Sequence, residues 1–291
     1  MAPCRPLRAH QRTLATLVAA IARGGADAIT DILAAVTPGG GKSLLPVIAA
    51  AHLIPARRVE RIVWVVPRDS LRLQAQEAFA DPVWRAILEH AVSLRAADNE
   101  LDPSRGLAGY ITTYQAIAAA PALHLREARR HRTLLVVDEV HHLPVTGSGR
   151  AGSGDQPAAE AEAGAWSRAM LPLFQAATLR LFLSGTLERA DGQRILGLPY
   201  RPSSSARAPE LDLDAPGLAV IGYSRAQALA ERAVLPVTFG ALDGEASWLE
   251  GGARPAWLGL DLIVLVEGGA RHDPSSTVHS ASHRLCPRSS H

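Results

Sequence analysis

Residues 32–43 read ILAAVTPGGGKS, an apolar run that leads into three glycines, a lysine and a serine. The apolar run predicts a buried strand over residues 32–36, and the pattern from residue 42 to residue 53 predicts a helix. Glycines allow the turn that such a junction needs, and the backbone N–H groups at a helix N-terminus attract anions. The stretch therefore predicts a phosphate-binding loop between a strand and a helix.

The lysine of this loop is unusual within the chain. Lys42 is the only lysine among 30 basic residues, and the others are arginines. A compact ammonium and a planar guanidinium are not interchangeable inside a tight loop. In a P-loop, Lys42 would reach the β- and γ-phosphates, and the Ser43 hydroxyl would ligate Mg²⁺. Taken alone, the stretch could also be a flexible glycine turn. The predicted phosphate loop consists of Thr37, Pro38, Gly39, Gly40, Gly41, Lys42 and Ser43.

A second apolar run ends in acidic residues. Residues 134–141 read LLVVDEVH, which places Asp138 at the carboxyl end of a predicted strand, where open α/β sheets bind ligands. With a phosphate loop upstream, we predict that Asp138 holds Mg²⁺ and that Glu139 polarises the attacking water. An acidic strand end facing solvent is the alternative. Zinc binding by His141 and His142 is not favoured, because adjacent histidines do not fit the H-E-x-x-H spacing.

Apolar strands and amphipathic helices alternate along much of the chain. Further strands are predicted over residues 61–66, 110–113, 133–137, 179–183 and 218–222. Helices are predicted over residues 7–23, 70–79 and 224–233. The strands lack polar alternation, which is typical of a sheet with helices on both faces. The sequence therefore predicts an α/β fold with a mostly parallel sheet.

Changes in composition indicate the domain organisation. Residues 146–164, TGSGRAGSGDQPAAEAEAG, are low in complexity and predict a mobile surface loop. The regular pattern weakens after about residue 203 and decays beyond residue 250 into Gly, Arg, Ser and His, apart from an apolar run over residues 258–266. We therefore predict a domain over residues 1–200, an exit segment toward a further lobe over residues 201–250, and an irregular tail over residues 251–291 that is either disordered or foreign to the rest of the chain.

Bulk composition argues against several classes of protein. Two cysteines, Cys4 and Cys286, give neither a disulfide framework nor a zinc cluster. The sequence contains no secretory signal and no apolar run of the roughly 18 residues that a membrane span needs. A net charge of +2 and 4% aromatic residues do not by themselves require a nucleic-acid partner. We expect a cytoplasmic protein without a membrane partner.

Over residues 7–187 the chain resembles superfamily 2 helicases of the DEAD/DEAH-box (DExH) kind, in particular the ATP-binding domain of type III restriction enzyme subunits. Residues 7–11 (LRAHQ) resemble the element whose glutamine reads adenine, and Gln11 is the matching residue. Residues 37–43 resemble motif I, and residues 138–141 resemble motif II. The resemblance implies a RecA-like P-loop NTPase lobe that binds ATP and Mg²⁺.

Three shorter segments extend the resemblance. Residues 66–74 resemble motif Ia, residues 111–115 resemble the threonine-bearing segment along the nucleic-acid path, and residues 184–186 resemble motif III. Without this family context, Pro67 and Arg68 would simply mark the end of a strand. Thr112 and Thr113 would be β-prone residues at the edge of a sheet. The nucleic-acid contacts implied by the resemblance are Arg68, Thr112 and Thr113. The residues implied to couple phosphate chemistry to the nucleic-acid side are His141, Ser184 and Thr186.

The function implied by the resemblance is that of a nucleic-acid-dependent ATPase lobe of a helicase or translocase, with DNA favoured over RNA. Such motors use a second lobe whose arginines reach the ATP site. No Arg-x-Gly-Arg-like motif follows Ser184, so we expect a truncated chain, weak hydrolysis in isolation, and a second lobe or partner subunit acting in trans. Two alternatives stay open: a catalytically silent ATP- or DNA-binding fragment, and a P-loop ATPase that does not act on nucleic acid.

Overall fold

The computed structural model describes residues 5–145, 158–189, 191–202, 210–248 and 256–267. The chain divides into two compact units, Met1–Val234 and Leu235–His291. The first unit contains a large sheet with helices, and the second contains a separate two-stranded sheet. All residues predicted to have a function lie in the first unit.

Seven strands of the described residues form the sheet of the first unit. They are β1 (Asp31–Val36), β2 (Arg61–Val66), β3 (Arg95–Ala96), β4 (Gly109–Thr113), β5 (Thr133–Asp138), β6 (Leu179–Ser184) and β7 (Leu218–Tyr223). Their order is β3-β4-β2-β5-β6-β1-β7, and each neighbouring pair is parallel. The carboxyl ends of the strands therefore meet at one edge, where open α/β sheets bind ligands.

Helices connect these strands. In the described part of the first unit they are α1 (Ala9–Ala22), α2 (Leu45–Leu53), α3 (Asp69–Ala80), α4 (Pro82–Ile87), α5 (Tyr114–Ala119), α6 (Pro121–Arg130), α7 (Ala158–Ala176) and α8 (Arg225–Ala230). Short 3-10 helices, Lys42–Leu44 and Val140–His142, lie just beyond the ends of β1 and β5. Among the helices of the described residues, none combines the length and the apolar character needed to cross a membrane.

A hydrophobic core lies on each face of the sheet. Successive side chains of a strand point to opposite faces. In β2, Ile62 and Trp64 pack into the core that α1, α2 and α3 cover, whereas Val63 and Val65 pack into the core that α5 and α7 cover. An apolar strand without polar alternation is needed because both faces are buried. The predicted α/β fold, a parallel sheet covered on both faces, is therefore confirmed.

Most predicted elements are also confirmed, but the predicted loop over residues 146–164 is wrong at its carboxyl end. There α7 begins at Ala158, so the segment AAEAEAG is helical. Alanine and glutamate are strong helix formers, and their propensity outweighs the small glycine content of this stretch. Residues 146–157 lie outside the described residues, and for them the loop stays a prediction.

The second unit consists of two described strands, β8 (Val237–Trp248) and β9 (Ala256–Glu267), which pair antiparallel. Strand β9 falls within the tail that we predicted to be irregular. Its run LGLDLIVLVE is rich in aliphatic residues, several of them β-branched, and these favour a strand. Residues 268–291 lie outside the described part of the chain. The boundary between the predicted family domain and the exit segment stays a prediction, although β7 and α8 belong to the first unit.

Candidate nucleotide-binding site

The loop after β1 depends on its glycines for two different reasons. Gly39 and Gly41 have φ angles of +73° and +82°, in the left-handed region that side chains with a Cβ avoid. Gly40 lacks space, because a Cβ there would lie 2.6 Å from Cγ1 of Val36. The three glycines therefore bring the backbone directly to the amino end of the 3-10 helix Lys42–Leu44.

Hydrogen bonds within this loop and from distant parts of the first unit support its shape. The N–H of Thr37 donates to the carbonyl of Tyr223 over 3.0 Å, and the N–H of Gly40 donates to the carbonyl of Thr37 over 2.9 Å. The guanidinium of Arg8 donates to the carbonyl of Gly39 over 3.0 Å. The loop thus has a defined shape in which Pro38 and Ser43 remain exposed.

Lys42 lies between the two carboxylates predicted from the acidic motif. Its Nζ contacts Oε1 of Glu139 and lies 3.7 Å from Oδ1 of Asp138. Burial lowers the pKa of Lys42, an effect that the neighbouring Asp138 opposes. Burial likewise raises the pKa of Asp138, against the effect of the Lys42 ammonium. The carboxyl ends of β1 and β5 therefore bring a cation and two carboxylates into one partly buried cluster.

The turn after β5 holds Glu139 in an uncommon backbone conformation. Glu139 has a φ of +51°, and its N–H donates to Oδ1 of Asp138 over 3.0 Å. The hydroxyl of Tyr114, which is buried, donates to the backbone carbonyl of Asp138 over 2.6 Å. Non-glycine residues with positive φ cost free energy and often occur at functional sites. Tyr114 fixes the end of the strand on which this turn depends.

Tyr114→Phe is expected to lower the free energy of unfolding by about 1–3 kcal/mol, because a buried carbonyl loses its donor. Under the ATPase role that the resemblance implies, it is also expected to slow ATP turnover, because the turn carrying Glu139 loses a support. Tyr110→Phe is the matched control, since it removes a buried hydroxyl that lies 3.0 Å from Nδ1 of His124. Chemical denaturation and phosphate release test both variants. Equal turnover in the two would contradict a role for Tyr114 in positioning this turn.

The structure brings together the three residues implied to have a coupling role. Nδ1 of His141 lies 2.9 Å from Oγ of Ser184 and 3.3 Å from Oε2 of Glu139. The N–H of Thr186 donates to Oγ of Ser184 over 3.2 Å. Burial lowers the pKa of His141 to about 4, so the imidazole is neutral at pH 7. A continuous set of contacts joins the acidic turn to the end of β6, and the coupling role itself stays a prediction.

Gln11 lies against the phosphate loop. It is 4% exposed, its Oε1 accepts from the N–H of Arg8 over 2.9 Å, and its Nε2 donates to the carbonyl of Gly41 over 3.2 Å. A cleft of about 580 Å³ opens beside it and is also lined by Ser43 and Trp84. Gln11 is therefore placed at the edge of a cleft next to the loop, with both ends of its amide already bonded.

The three residues implied to contact nucleic acid differ in accessibility. Arg68 is exposed directly after β2. Thr112 is 0% exposed, and its hydroxyl has no hydrogen-bond partner among the described residues. Thr113 is 8% exposed, and its hydroxyl accepts from the N–H of Ala116 over 3.1 Å as the N-cap of α5. Strand β4 lies inside the sheet with both faces covered, so of the three only Arg68 presents its side chain to solvent.

The carboxylates and the hydroxyl near the loop suit a magnesium ion. Mg²⁺ prefers hard oxygen ligands and usually binds through one or two carboxylates together with phosphates and water. Asp138 provides a carboxylate at the strand end, and Ser43 provides an exposed hydroxyl next to Lys42. The donor chemistry of these residues fits the predicted metal.

Sequence reasoning missed several residues that shape the site. Tyr114, Tyr223 and Trp84 occur in patterns that are more often core packing than function, and Arg8 stands before the first helix. Their partners lie far away in the chain, as in the bond from Arg8 to the carbonyl of Ala233 over 3.4 Å. The one signal in the sequence that could have indicated such residues is a position next to a recognised motif. Arg8 and Tyr114 have such a position.

Comparison with known proteins identifies the family. The family described as "Type III restriction enzyme, res subunit" matches residues 5–189, which include the phosphate loop and the acidic turn. The chain belongs to this family. The first unit of this res-subunit family member is a RecA-like α/β lobe, and its membership supports the interpretation as a helicase or translocase lobe.

Similar curated proteins come from mycobacteria. The "Uncharacterized protein Rv2917" of Mycobacterium tuberculosis is 33% identical over 205 residues, which cover 68% of this res-subunit family member and 28% of Rv2917. The "Uncharacterized protein ML1624" of Mycobacterium leprae is 32% identical over 251 residues, which cover 84% of the chain and 35% of ML1624. The chain thus spans about a third of the length of these relatives.

The comparison with solved structures gives matches at low sequence identity and with TM-scores below 0.5. The "ATP-dependent Type ISP restriction-modification enzyme LlaBIII bound to DNA" is 15% identical with a TM-score of 0.48, covering 78% of this chain and 16% of that one. The "Crystal structure of Pyrococcus furiosus Hef helicase domain" is 16% identical with a TM-score of 0.42, covering 63% of this chain and 34% of that one.

Proposed function

We propose that the first unit binds ATP with Mg²⁺ and hydrolyses it in response to nucleic acid, as one lobe of a DNA helicase or translocase. The observation that carries this proposal is the position of Lys42, whose ammonium contacts Glu139 and lies 3.7 Å from Asp138 at the glycine loop. A phosphate group entering the loop would compete with these carboxylates for the ammonium. If the ammonium of Lys42 turns toward the phosphate, the carboxylates of Glu139 and Asp138 are freed for their own roles.

Each residue of the cluster then has a separate task. The loop amides and Lys42 would bind the phosphates, and Ser43 and Asp138 would hold Mg²⁺, which would supply positive charge beside the phosphates. Glu139 orients and polarises the attacking water, and the contact of its Oε2 with His141 at 3.3 Å limits the directions in which the carboxylate can point. Gln11 borders the base side of the loop, where it also holds the carbonyl of Gly41.

The nucleic acid is proposed to lie along the carboxyl edge of the sheet. Arg68 is exposed at that edge, after β2, and a guanidinium suits phosphate oxygens. A contact by Thr112 or Thr113 would require a local rearrangement, because their hydroxyls are buried or bonded. We propose DNA as the substrate because the family is named for a restriction enzyme.

A phosphate-release assay with and without duplex and single-stranded DNA tests this function. DNA is expected to stimulate phosphate release. Arg68→Ala is expected to weaken DNA binding and to reduce, by about 1, the slope with which the logarithm of the binding constant falls with the logarithm of the salt concentration. Arg129→Ala is the matched control, because Arg129 is exposed on α6 shortly before β5 begins and therefore near the opposite edge of the sheet. Equal loss of DNA binding in both variants would contradict the proposed path.

The same assay separates two other functions. ATP binding without phosphate release, with or without DNA, would indicate a catalytically silent binding lobe. Release that DNA does not change would indicate a P-loop ATPase that does not act on nucleic acid. Addition of a second helicase lobe in trans would then show whether arginines from that lobe accelerate hydrolysis, as they do in other phosphoryl-transfer enzymes.

A further inference from the structure

The cleft beside the phosphate loop contains an aromatic side chain that none of the recognised motifs includes. Trp84 lies in α4 and lines the cleft of about 580 Å³ together with Leu44 and Ala78. The cleft reaches the loop itself, because Gly41 and Ser43 also line it. Its volume falls within the range of roughly 300–1,000 Å³ that is usual for small-molecule sites. A ligand whose phosphates occupy the loop would therefore have its other end near Trp84.

Contacts with neighbouring residues keep α4 in a fixed position. The N–H of Val83 donates to Oδ1 of Asp81 over 2.8 Å at the start of the helix. Arg85 donates from Nε to the carbonyl of Phe79 over 2.9 Å and from Nη2 to Oγ of Ser93 over 2.7 Å. The residues on both sides of Trp84 are thus held by hydrogen bonds. The indole therefore belongs to a fixed part of the cleft lining.

Trp84 differs from the two other tryptophans whose side chains are described. Trp64 packs edge-on against Phe79 with ring centroids 6.2 Å apart, and Trp166 stacks on Tyr114 at 5.5 Å. Trp84 has no ring partner among the described residues, and it is half-buried, because part of the side chain packs against the hydrophobic core. The part that lines the cleft is available for a planar ligand.

The polar groups of the cleft are less available than this ring. Both ends of the Gln11 amide are bonded, to the N–H of Arg8 and to the carbonyl of Gly41. Asp81 caps α4, and its other oxygen lies 3.4 Å from the guanidinium of Arg5. Stacking on Trp84 is an interaction that the cleft can offer without breaking a bond of the folded chain, and every nucleobase has a face that can stack.

We infer that Trp84 provides the surface on which the base of the bound nucleotide stacks. This inference rests on the proposed function, because it requires nucleotide phosphates in the glycine loop. Trp84 contributes to affinity through the base alone and does not contact the phosphates. Purine nucleotides are favoured over pyrimidine nucleotides, because a purine offers the larger ring surface.

Calorimetry on the full chain with Mg·ATP and with inorganic tripolyphosphate tests the inference. Trp84→Ala is expected to weaken ATP binding about tenfold, the loss typical of one base stacked on an aromatic ring. Its affinity for tripolyphosphate is expected to stay within about twofold of the unsubstituted chain, since the phosphate contacts are independent of the base. Trp84→Phe retains a ring and is expected to recover most of the ATP affinity.

Tryptophan fluorescence gives a second measurement that does not depend on the alanine variant folding. ATP is expected to quench the tryptophan emission of the unsubstituted chain, whereas tripolyphosphate is expected to leave it unchanged. Trp84→Phe is expected to lose the quenching by ATP. Trp166→Phe is the matched control and should retain it, because Trp166 stacks on Tyr114 away from the cleft.

The outcomes distinguish this inference from the proposed function. Unchanged ATP affinity in Trp84→Ala, or equal losses for ATP and tripolyphosphate, would overturn base stacking while leaving the phosphate loop as a nucleotide site. ATP-dependent quenching that persists in Trp84→Phe would also overturn it. Failure of the unsubstituted chain to bind either ligand would overturn the proposed function and this inference together.

Discussion

Replacing Lys42 by alanine is expected to weaken binding of Mg·ATP by at least about 100-fold, equivalent to roughly 2.8 kcal/mol. The ammonium is partly buried at the loop, and burial makes a direct contact with phosphate stronger than it would be in water. The variant would leave Asp138 and Glu139 close to the phosphates without the cation that now contacts them. Calorimetric titration with Mg·ATP measures the loss.

Two further variants at this position separate charge from shape. Lys42→Met keeps most of the length of the side chain without its charge and is expected to lose affinity as alanine does. Lys42→Arg keeps the charge but replaces a compact ammonium by a larger planar group, so it is also expected to bind poorly. Thermal unfolding of all three checks that they fold. Affinity for ATP in Lys42→Met equal to that of the unsubstituted chain would exclude the loop as the phosphate site.

Glu139→Gln is expected to retain ATP binding and to reduce turnover by roughly 100-fold to 10,000-fold, the usual contribution of a general base. The amide has nearly the same size as the carboxylate and can adopt the same backbone conformation, but it cannot accept a proton from water. The substitution also removes the ion pair with Lys42, so ATP binding should be equal or tighter.

Single-turnover phosphate release and calorimetry on the same preparation measure both effects. Glu160→Gln is the matched control, because it makes the same chemical change at an exposed position on α7. A Glu139→Gln variant that binds ATP poorly but turns over the bound fraction at the normal rate would show that Glu139 organises the loop and does not act on water.

The sheet could be predicted from the sequence because its strands are buried on both faces. Strand β2 spans the predicted residues 61–66, since RIVWVV has no polar residue after Arg61 to suggest an exposed face. Short strands give no such signal, and β3, with two residues, was not predicted. Helix α7 was not predicted, and its first residues were assigned to a loop because the nearby glycines outweighed the helix-forming Ala and Glu residues.

The sequence was enough to predict which residues form the candidate site, but not which partners they contact. The glycine loop and the acidic turn are local patterns, and the structure brings Lys42 and Glu139 together although 96 residues lie between them in the chain. The burial of Thr112 depends on which strands flank β4, and the bonding of Gln11 depends on the carbonyl of Gly41. Such partners arise only when the sheet assembles, so no local pattern reveals them.

The supports of the phosphate loop set a lower limit on the length of a fragment that could keep its shape. The family match ends at residue 189, yet the loop amide of Thr37 donates to Tyr223 and Arg8 bonds to the carbonyl of Ala233. A Cβ placed on Gly39 would lie 3.2 Å from Val234, so the loop also lies close to that residue. A fragment ending with the recognisable motifs would keep the glycines and the lysine but lose the residues that hold them in place.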